Sequence, residues 1–304
     1  MSPHTIRKAV IPAAGLGTRL LPATKVIPKE LMPIGGRPLI QYAVEEAATS
    51  GLETVILVVS PNNTLLSEYF LRDRNLENIL LQRGRNDDAE LIRRLSQLAE
   101  VRTVCQQAPA GLADAIFTAR PLIDDEPFAV ILPDAIIDSV VPCTLQLMDC
   151  YAKHPGCVVA ARTVDSSEAD RFGILEVSPI HWDDYDDRTM KVNSLIERPR
   201  PGSVSSRHGI FGRYILEPEI FRSIERTLPG LNGELQLTDS LMLHIANAPV
   251  YAYEFQGTHY DAGSKLGFVE ATIAYALQDP EIGQILRERL SNRACNAATP
   301  VVKA

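Results

Sequence analysis

Two glycines and two cations crowd one short stretch of this chain, Gly15-Leu16-Gly17-Thr18-Arg19 followed by Pro28-Lys29-Glu30. Glycine lets backbone N–H groups approach an anion closely, and Arg19 and Lys29 bring the full charges that neutralise it. The stretch follows the apolar run Ala9-Val10-Ile11-Pro12-Ala13-Ala14, which reads as the first buried strand of a parallel sheet. A strand that empties into such a turn makes a cradle for a polyphosphate. It fits neither common phosphate loop. A dinucleotide fingerprint needs a third glycine where Leu20 stands, and a Walker loop needs a lysine directly after a glycine, which neither Lys25 nor Lys29 has. Pro22, Pro28 and Pro33 forbid a regular helix before Arg37, which leaves a long, extended, stiffened loop over the ligand.

Other residues could share that crevice. Asp134 closes the apolar run Ala129-Val130-Ile131-Leu132-Pro133. In open α/β sheets ligands sit outside the carboxyl ends of strands, although an aspartate there can equally cap the next segment. Gln106 follows the strand signal Val101 to Cys105, and its amide can both donate to and accept from a ligand; its neighbour Gln107 contests the role. Glu197-Arg198-Pro199 closes another strand signal. Alternation sends Glu197 and Arg198 to opposite faces unless the strand ends there, and Pro199 supplies an ending. Without a ligand, they read as a surface ion pair. The acidic run His181 to Asp187 reads as a solvated hairpin turn, because carboxylates at adjacent positions rarely converge on one ion.

The elements that must position these residues alternate in the first half between strand and helix signals. Helices are expected over 37–50, 64–81, 87–100 and 112–119, and strands over 55–59, 101–105 and 128–132. The second half carries strand signals near 157–163, 173–177, 190–197, 208–216 and 250–255, with helices starting at Pro142-Cys143-Thr144 and, well capped, at Leu237-Thr238-Asp239. The fold class is α/β, a Rossmann-like doubly wound sheet, mixed but mostly parallel. One domain over 1–290 is expected, with a first part to about 140, a second over 141–262 and helices over 263–290. Residues 291–304, small and polar, read as a loose tail.

The 304 residues bury an ample core, and 45% hydrophobic with 22% charged residues suits a soluble globular protein. The formal charge of −8 argues against nucleic acid or an anionic membrane as a partner, so phosphate chemistry must rest on locally clustered cations. No apolar run approaches the roughly 20 residues that span a bilayer, and the leader lacks an apolar signal core. Five cysteines without metal-like spacing read as reduced thiols of a cytoplasmic protein, Cys295 lying in the tail.

The string Pro22-Ala23-Thr24-Lys25 to Ile27-Pro28-Lys29-Glu30 resembles the sugar-1-phosphate nucleotidyltransferase family, in phrasing similar to its bacterial branch that uses UTP and glucose 1-phosphate. The resemblance runs from Lys8 to about Leu290. It continues through Leu132-Pro133-Asp134, Phe172-Gly173-Ile174-Leu175-Glu176, Ile196-Glu197-Arg198-Pro199, Gly212-Arg213-Tyr214, Gly233-Glu234-Leu235-Gln236-Leu237-Thr238-Asp239 and Tyr260-Asp261-Ala262-Gly263. It implies a nucleotide-diphospho-sugar transferase (glycosyltransferase-A-like) fold, with a nucleotide-binding part over about 1–140 and a sugar-binding part over about 141–262. The implied reaction is attack of a sugar 1-phosphate on the α-phosphorus of a nucleoside triphosphate. In that scheme Asp134 and Asp261 hold Mg²⁺, Arg19 grips the β- and γ-phosphates, and Lys29 meets the α-phosphate and the attacking phosphate. Ala13, Ala14, Gly15, Gly17, Thr18, Gln106 and Gly111 would bind the nucleotide. Gly173 and Glu197 would bind the sugar and Arg198 its phosphate. The family also implies a homodimer or homotetramer.

Departures from the family pattern stand beside these matches. Glu-Lys-Pro is usual where this chain has Glu197-Arg198-Pro199, and the guanidinium is longer, planar and bidentate. Gly-Leu-Gly-His-Ala is common where this chain has Gly111-Leu112-Ala113-Asp114-Ala115, a form similar to the thymidylyltransferase branch, with Asp114 adding a negative charge near the nucleotide. The alternatives are therefore a dTTP-dependent enzyme, another sugar specificity, or a regulatory paralogue that binds nucleotide sugar with weak catalysis.

Overall fold

Side chains along β1 (Lys8–Ala13) point alternately to two cores. Ala9, Ile11 and Ala13 enter one, while Val10 enters the other. That period of two, with apolar residues on both faces, requires helices on both sides of the sheet. The computed structural model, which describes residues 5–61, 63–180, 188–200, 202–230 and 233–297, shows that arrangement. After β1 the chain makes a small ribbon, β2 (Pro33–Ile34) with β3 (Arg37–Pro38), then α1 (Leu39–Thr49), β4 (Thr54–Val59), α2 (Leu65–Phe70), α3 (Arg74–Gln82) and α4 (Asn86–Leu95). β5 (Glu100–Cys105), α5 (Leu112–Ile123), β6 (Phe128–Ile131) and β7 (Ala135–Asp138) complete the first half. The second half runs α6 (Cys143–Lys153), β8 (Cys157–Thr163), β9 (Gly173–Pro179), β10 (Thr189–Glu197), β11 (His208–Leu216), α7 (Ile220–Arg226) and α8 (Leu237–His244). It closes with β12 (Val250–Glu254), β13 (Thr258–Asp261), α9 (Lys265–Gln278) and α10 (Gly283–Ala297).

Nine strands form the main sheet in the order β5-β4-β1-β6-β11-β8-β12-β10-β9. The first four are parallel, as the strand-helix alternation demands. β11 enters antiparallel to both β6 and β8 and ties the halves together, and β10 runs antiparallel to β9 and β12. The sheet is thus mixed, its parallel pairings concentrated in the first half. One core packs α1, α2 and α6 through Ile40, Leu66 and Leu147; the other packs α5, α7 and α8 through Ile116, Phe221 and Leu241. Each fully buried Ile, Leu or Phe contributes about 1.5–3 kcal/mol, which fixes the strand ends that carry the chemistry.

Several boundaries differ from expectation for local reasons. The helix expected over 64–81 breaks because the Asp73 side chain accepts a hydrogen bond from Leu76 N at 2.9 Å and caps a new helix. The next helix stops at Leu95, and Glu100 joins the sheet opposite Thr54. Arg37 and Pro38 are taken by the β2–β3 ribbon, so α1 begins at Leu39. α5 runs on to Ile123, through Pro121, beyond the expected stop. α8 has Gln236 at its cap position without a side-chain cap bond, and Thr238 turns its hydroxyl to Glu197 instead. The stretch 291–304, read as a tail, begins within a helix. α10 continues to Ala297, since no glycine or proline interrupts Gln284 to Ala297. The run His181 to Asp187 and residues 298–304 lie outside the described residues.

A buried ion pair locks the centre. Arg213, 2% exposed, meets Glu46 at 2.7 Å and donates to the Leu132 carbonyl at 2.9 Å, holding the turn that leads to Asp134. Glu46 also accepts from the Thr144 backbone and hydroxyl at 3.0 and 2.7 Å. Burial opposes the Glu46 charge, but Arg213 and Thr144 outweigh it and hold the carboxyl below its ordinary range. Removing one partner of such a pair costs about 3–5 kcal/mol.

Candidate active site

β1, β5 and β6 run parallel and end at one edge of the sheet, where Ala13, Cys105 and Ile131 pass into loops. The loop after β1 is coiled, not extended. It makes three short 3₁₀ turns, Thr18–Leu20, Ala23–Lys25 and Lys29–Leu31, the last two with Pro22 and Pro28 at their caps. Proline favours that position because its missing N–H would have no partner there. Gly17 sits at φ +62° beneath Thr24, whose hydroxyl donates to the Gly17 carbonyl at 2.8 Å. Ala14, Gly15, Gly17, Thr18, Lys29, Gln106, Gly111 and Asp134 line a cavity of about 470 Å³. Ala13 is buried in a core and does not line the cavity wall. Gln106 is buried in that wall while Gln107 is exposed. Gly111, at φ +106°, lies so close to Leu235 that a Cβ would stand 2.5 Å from its carbonyl oxygen. Leu235 N donates to Ala110 O at 2.7 Å and Ala113 N to Leu235 O at 3.0 Å, which brings Glu234 to the same cavity.

The two distant aspartates meet. β7 and β13 pair antiparallel with Asp261 opposite Ala135, and Ala262 N donates to Asp134 O at 2.8 Å. Arg19 stands between them, 3.2 Å from Asp261 and 3.7 Å from Asp134, and Lys29 Nζ donates to Asp134 Oδ2 at 2.7 Å. Gly263 makes room: a Cβ there would lie 2.5 Å from the Arg19 guanidinium and 2.8 Å from Asp134 Oδ2. Burial works against the charge of both Lys29 and Asp134. Their mutual attraction prevails, so the ammonium titrates above its ordinary value and the carboxylate below. Behind Lys29, buried Glu30 is pushed up to about 7, mainly by desolvation, with Lys29 3.8 Å away opposing the shift.

A second cavity, about 410 Å³, opens on the other side of Asp134 and is lined by Arg19, Asp134, Arg171, Arg198, His259 and Asp261 among others. Leu132 and Asp134 wall both cavities, so the two adjoin at the carboxylate. Arg198 follows the end of β10 at φ +41°, and this turn gives it a direction that strand alternation would deny. Glu197 and Gly173 lie opposite each other in the β9–β10 ladder and outside the walls of both cavities. Glu197 accepts from Thr238 Oγ1 at 2.9 Å and lies 3.5 Å from Arg198. Burial raises the Glu197 carboxyl, with Thr238 and Arg198 working against it.

The family model described as nucleotidyl transferase matches residues 8–278. This chain belongs to that family. It is 42% identical, over 93% of its length and 96% of the relative's, to the UTP–glucose-1-phosphate uridylyltransferase of Staphylococcus epidermidis. It is 43% identical, over 91% and 94%, to the enzyme of that name from Staphylococcus haemolyticus. A solved UDP-glucose pyrophosphorylase complexed with UDP-glucose superposes with a TM-score of 0.81 at 36% identity, covering 90% of this chain and all of that one.

This nucleotidyltransferase also carries site residues that the sequence reading passed over. Arg171 reaches Asp261 at 3.3 Å and lines the second cavity; it directly precedes the motif beginning at Phe172. Thr238, inside a motif already noted, orients Glu197. His259 lines the second cavity against the Phe211 ring, and desolvation pushes it down to about 4, so it is neutral at pH 7. Only the pairing of β13 with β7 brings it there, and no local pattern encodes that. Among the described residues no helix is long and apolar enough to cross a membrane, and Cys105, Cys143 and Cys157 are free thiols.

Proposed function

We propose that this chain transfers a uridylyl group from UTP to glucose 1-phosphate, giving UDP-glucose and pyrophosphate. One observation carries the reading: Arg19, Lys29, Asp134 and Asp261 converge where the loop-lined cavity meets the second one. A sugar phosphate monoester is already largely dianionic at neutral pH, its second pKa being near ~6, so the reaction asks for no general base. The protein's task is to hold two anions in line and to stabilise the charge of the departing pyrophosphate. Lys29, largely withdrawn from solvent, is the cation for the α-phosphate and the attacking oxygen, because desolvation strengthens its field. Arg19, half exposed at the cavity mouth, suits the β- and γ-phosphates. Arg198 and Arg171 bring positive charge to the sugar phosphate in the second cavity.

Asp134 and Asp261 fit a divalent ion. Both carboxylates already reach one guanidinium, and Mg²⁺ takes one or two carboxylates beside phosphate oxygens and water. When bound, Mg²⁺ would neutralise phosphate charge at both substrates. Gln106 and Gly111 are the candidates for reading the base, and Gly173 and Glu197 for the sugar hydroxyls beyond Arg198. The free thiols fit a cytoplasmic enzyme. Pyrophosphate release from UTP, dTTP and the other triphosphates with glucose 1-phosphate, with and without Mg²⁺, tests the reading. Preference for dTTP would reassign the nucleotide, and binding of UDP-glucose without any release of pyrophosphate would make the chain a regulator.

A further inference from the structure

Gln106 is buried at the wall of the loop-lined cavity, and its amide nitrogen is already committed. Nε2 donates to Asp114 Oδ2 at 2.8 Å and to the Gly111 carbonyl at 3.2 Å. Both partners there are acceptors, so both amide hydrogens have a place and neither contact survives a flip of the amide. Rotation would set the carbonyl lone pairs of Gln106 against a carboxylate and a backbone carbonyl. Asp114 sits in the first turn of α5, where the helix N-terminus favours its negative charge, and the bond it accepts is charge-assisted. The Gln106 carbonyl oxygen is left without a hydrogen-bond donor among the described residues, while the residue faces the cavity.

We propose that Asp114 is a positioning residue that locks the Gln106 amide with its oxygen toward the ligand, so that the site accepts a hydrogen bond from the base. The inference rests on the reading that this cavity holds a pyrimidine nucleotide. Uracil and thymine present a ring N–H between two carbonyls and satisfy the Gln106 oxygen. Cytosine presents a ring lone pair at that position and meets it with repulsion. An unlocked glutamine could turn either end to the base and would serve both. The acidic residue in Ala113-Asp114-Ala115 thus becomes a determinant of specificity without touching the substrate.

Binding of UTP, dTTP and CTP to the full chain, by titration calorimetry, is measured beside pyrophosphate release for the wild type, Asp114→Ala and Asp114→Ser. Alanine is the best helix former and keeps the first turn of α5, and serine gives a second variant without the carboxylate. The wild type is expected to bind UTP and dTTP at least about tenfold more tightly than CTP, and both variants to lose about tenfold of that margin. The ratio of UTP to dTTP and the KM for glucose 1-phosphate should stay unchanged. A wild type that does not discriminate against CTP, or variants that weaken all three nucleotides equally, would overturn the proposal. A margin that depends on Asp114 in a protein that releases no pyrophosphate would leave the proposal standing and remove the transferase reading.

Discussion

Glu30 shows how one carboxyl can tune a neighbouring cation. It is 1% exposed, one residue from Lys29, and its Oε1 has no hydrogen-bond partner. Desolvation, opposed by Lys29 and assisted by Asp134, lifts it from 4.5 to about 7. The sign follows from linkage. The folded state binds this proton more tightly than the unfolded state, so the stability it contributes is full below pH 4.5 and is lost as pH rises through 7. Glu30→Gln cannot titrate. Its melting temperature should therefore gain on the wild type between pH 5 and pH 8, and a difference that is constant across that range would refute the shift. Arg198 offers a second test. Its side chain is 66% exposed and its Nε lies 3.5 Å from Glu197, a contact that uses none of its bidentate geometry. Arg198→Lys should leave kcat/KM for glucose 1-phosphate equal or higher; a loss beyond about tenfold, or about 1.4 kcal/mol, would mean that the site is built around the planar fork.

At the level of elements, the ribbon of β7 with β13 decides where the acids stand, and Gly263 just past β13 lets Arg19 and Asp134 approach it. Gly263→Ala would insert a methyl group 2.5 Å from the guanidinium and 2.8 Å from the carboxylate. Overpacking of that kind costs about 1–3 kcal/mol, whereas a misplacement of about 1 Å among reacting groups costs about a hundredfold. Turnover should fall ten- to a hundredfold, roughly, while the variant stays folded by circular dichroism; unchanged kinetics would show that Arg19 does not need its observed place. The same ribbon marks the limit of what the sequence discloses. Val55 to Val59 and Ala129 to Ile131 announce themselves, because a strand buried on both faces must be apolar throughout. Gly15, Gly17, Arg19 and Lys29 are legible because their chemistry is local. Ala135–Asp138 and Thr258–Asp261 are short, half-buried and more than a hundred residues apart, so neither carries a period that names its partner. Arg171 was hidden for the same reason: its role exists only once Asp261 has been brought to it.

Across the whole molecule, a net charge of −8 must coexist with anionic ligands, and the structure resolves this by gathering Arg19, Lys29, Arg171 and Arg198 around one cleft. That cleft is walled by both halves of the sheet. The loop after β1 and the end of β6 come from the parallel half, and Arg198 and Phe211 come from the antiparallel half. A ligand that spans it binds only the assembled fold, so occupancy must raise the stability of the whole chain and not of one lobe. At a free concentration one hundred times the Kd the gain is about 2.7 kcal/mol, which for a chain of this size moves the melting temperature by about 4 °C. UTP with Mg²⁺ should produce a shift of that order in a single transition. Asp134→Asn gives up the charge that pairs with Lys29, so when free it should melt below the wild type yet stay folded, because the turn that carries it is held by Arg213 and a well-packed core. With nucleotide and metal it should gain less than the wild type. An equal gain in the two proteins would show that Asp134 takes no part in holding the metal-bound triphosphate, and a shift confined to one of two separate transitions would show that the halves do not answer to the ligand together.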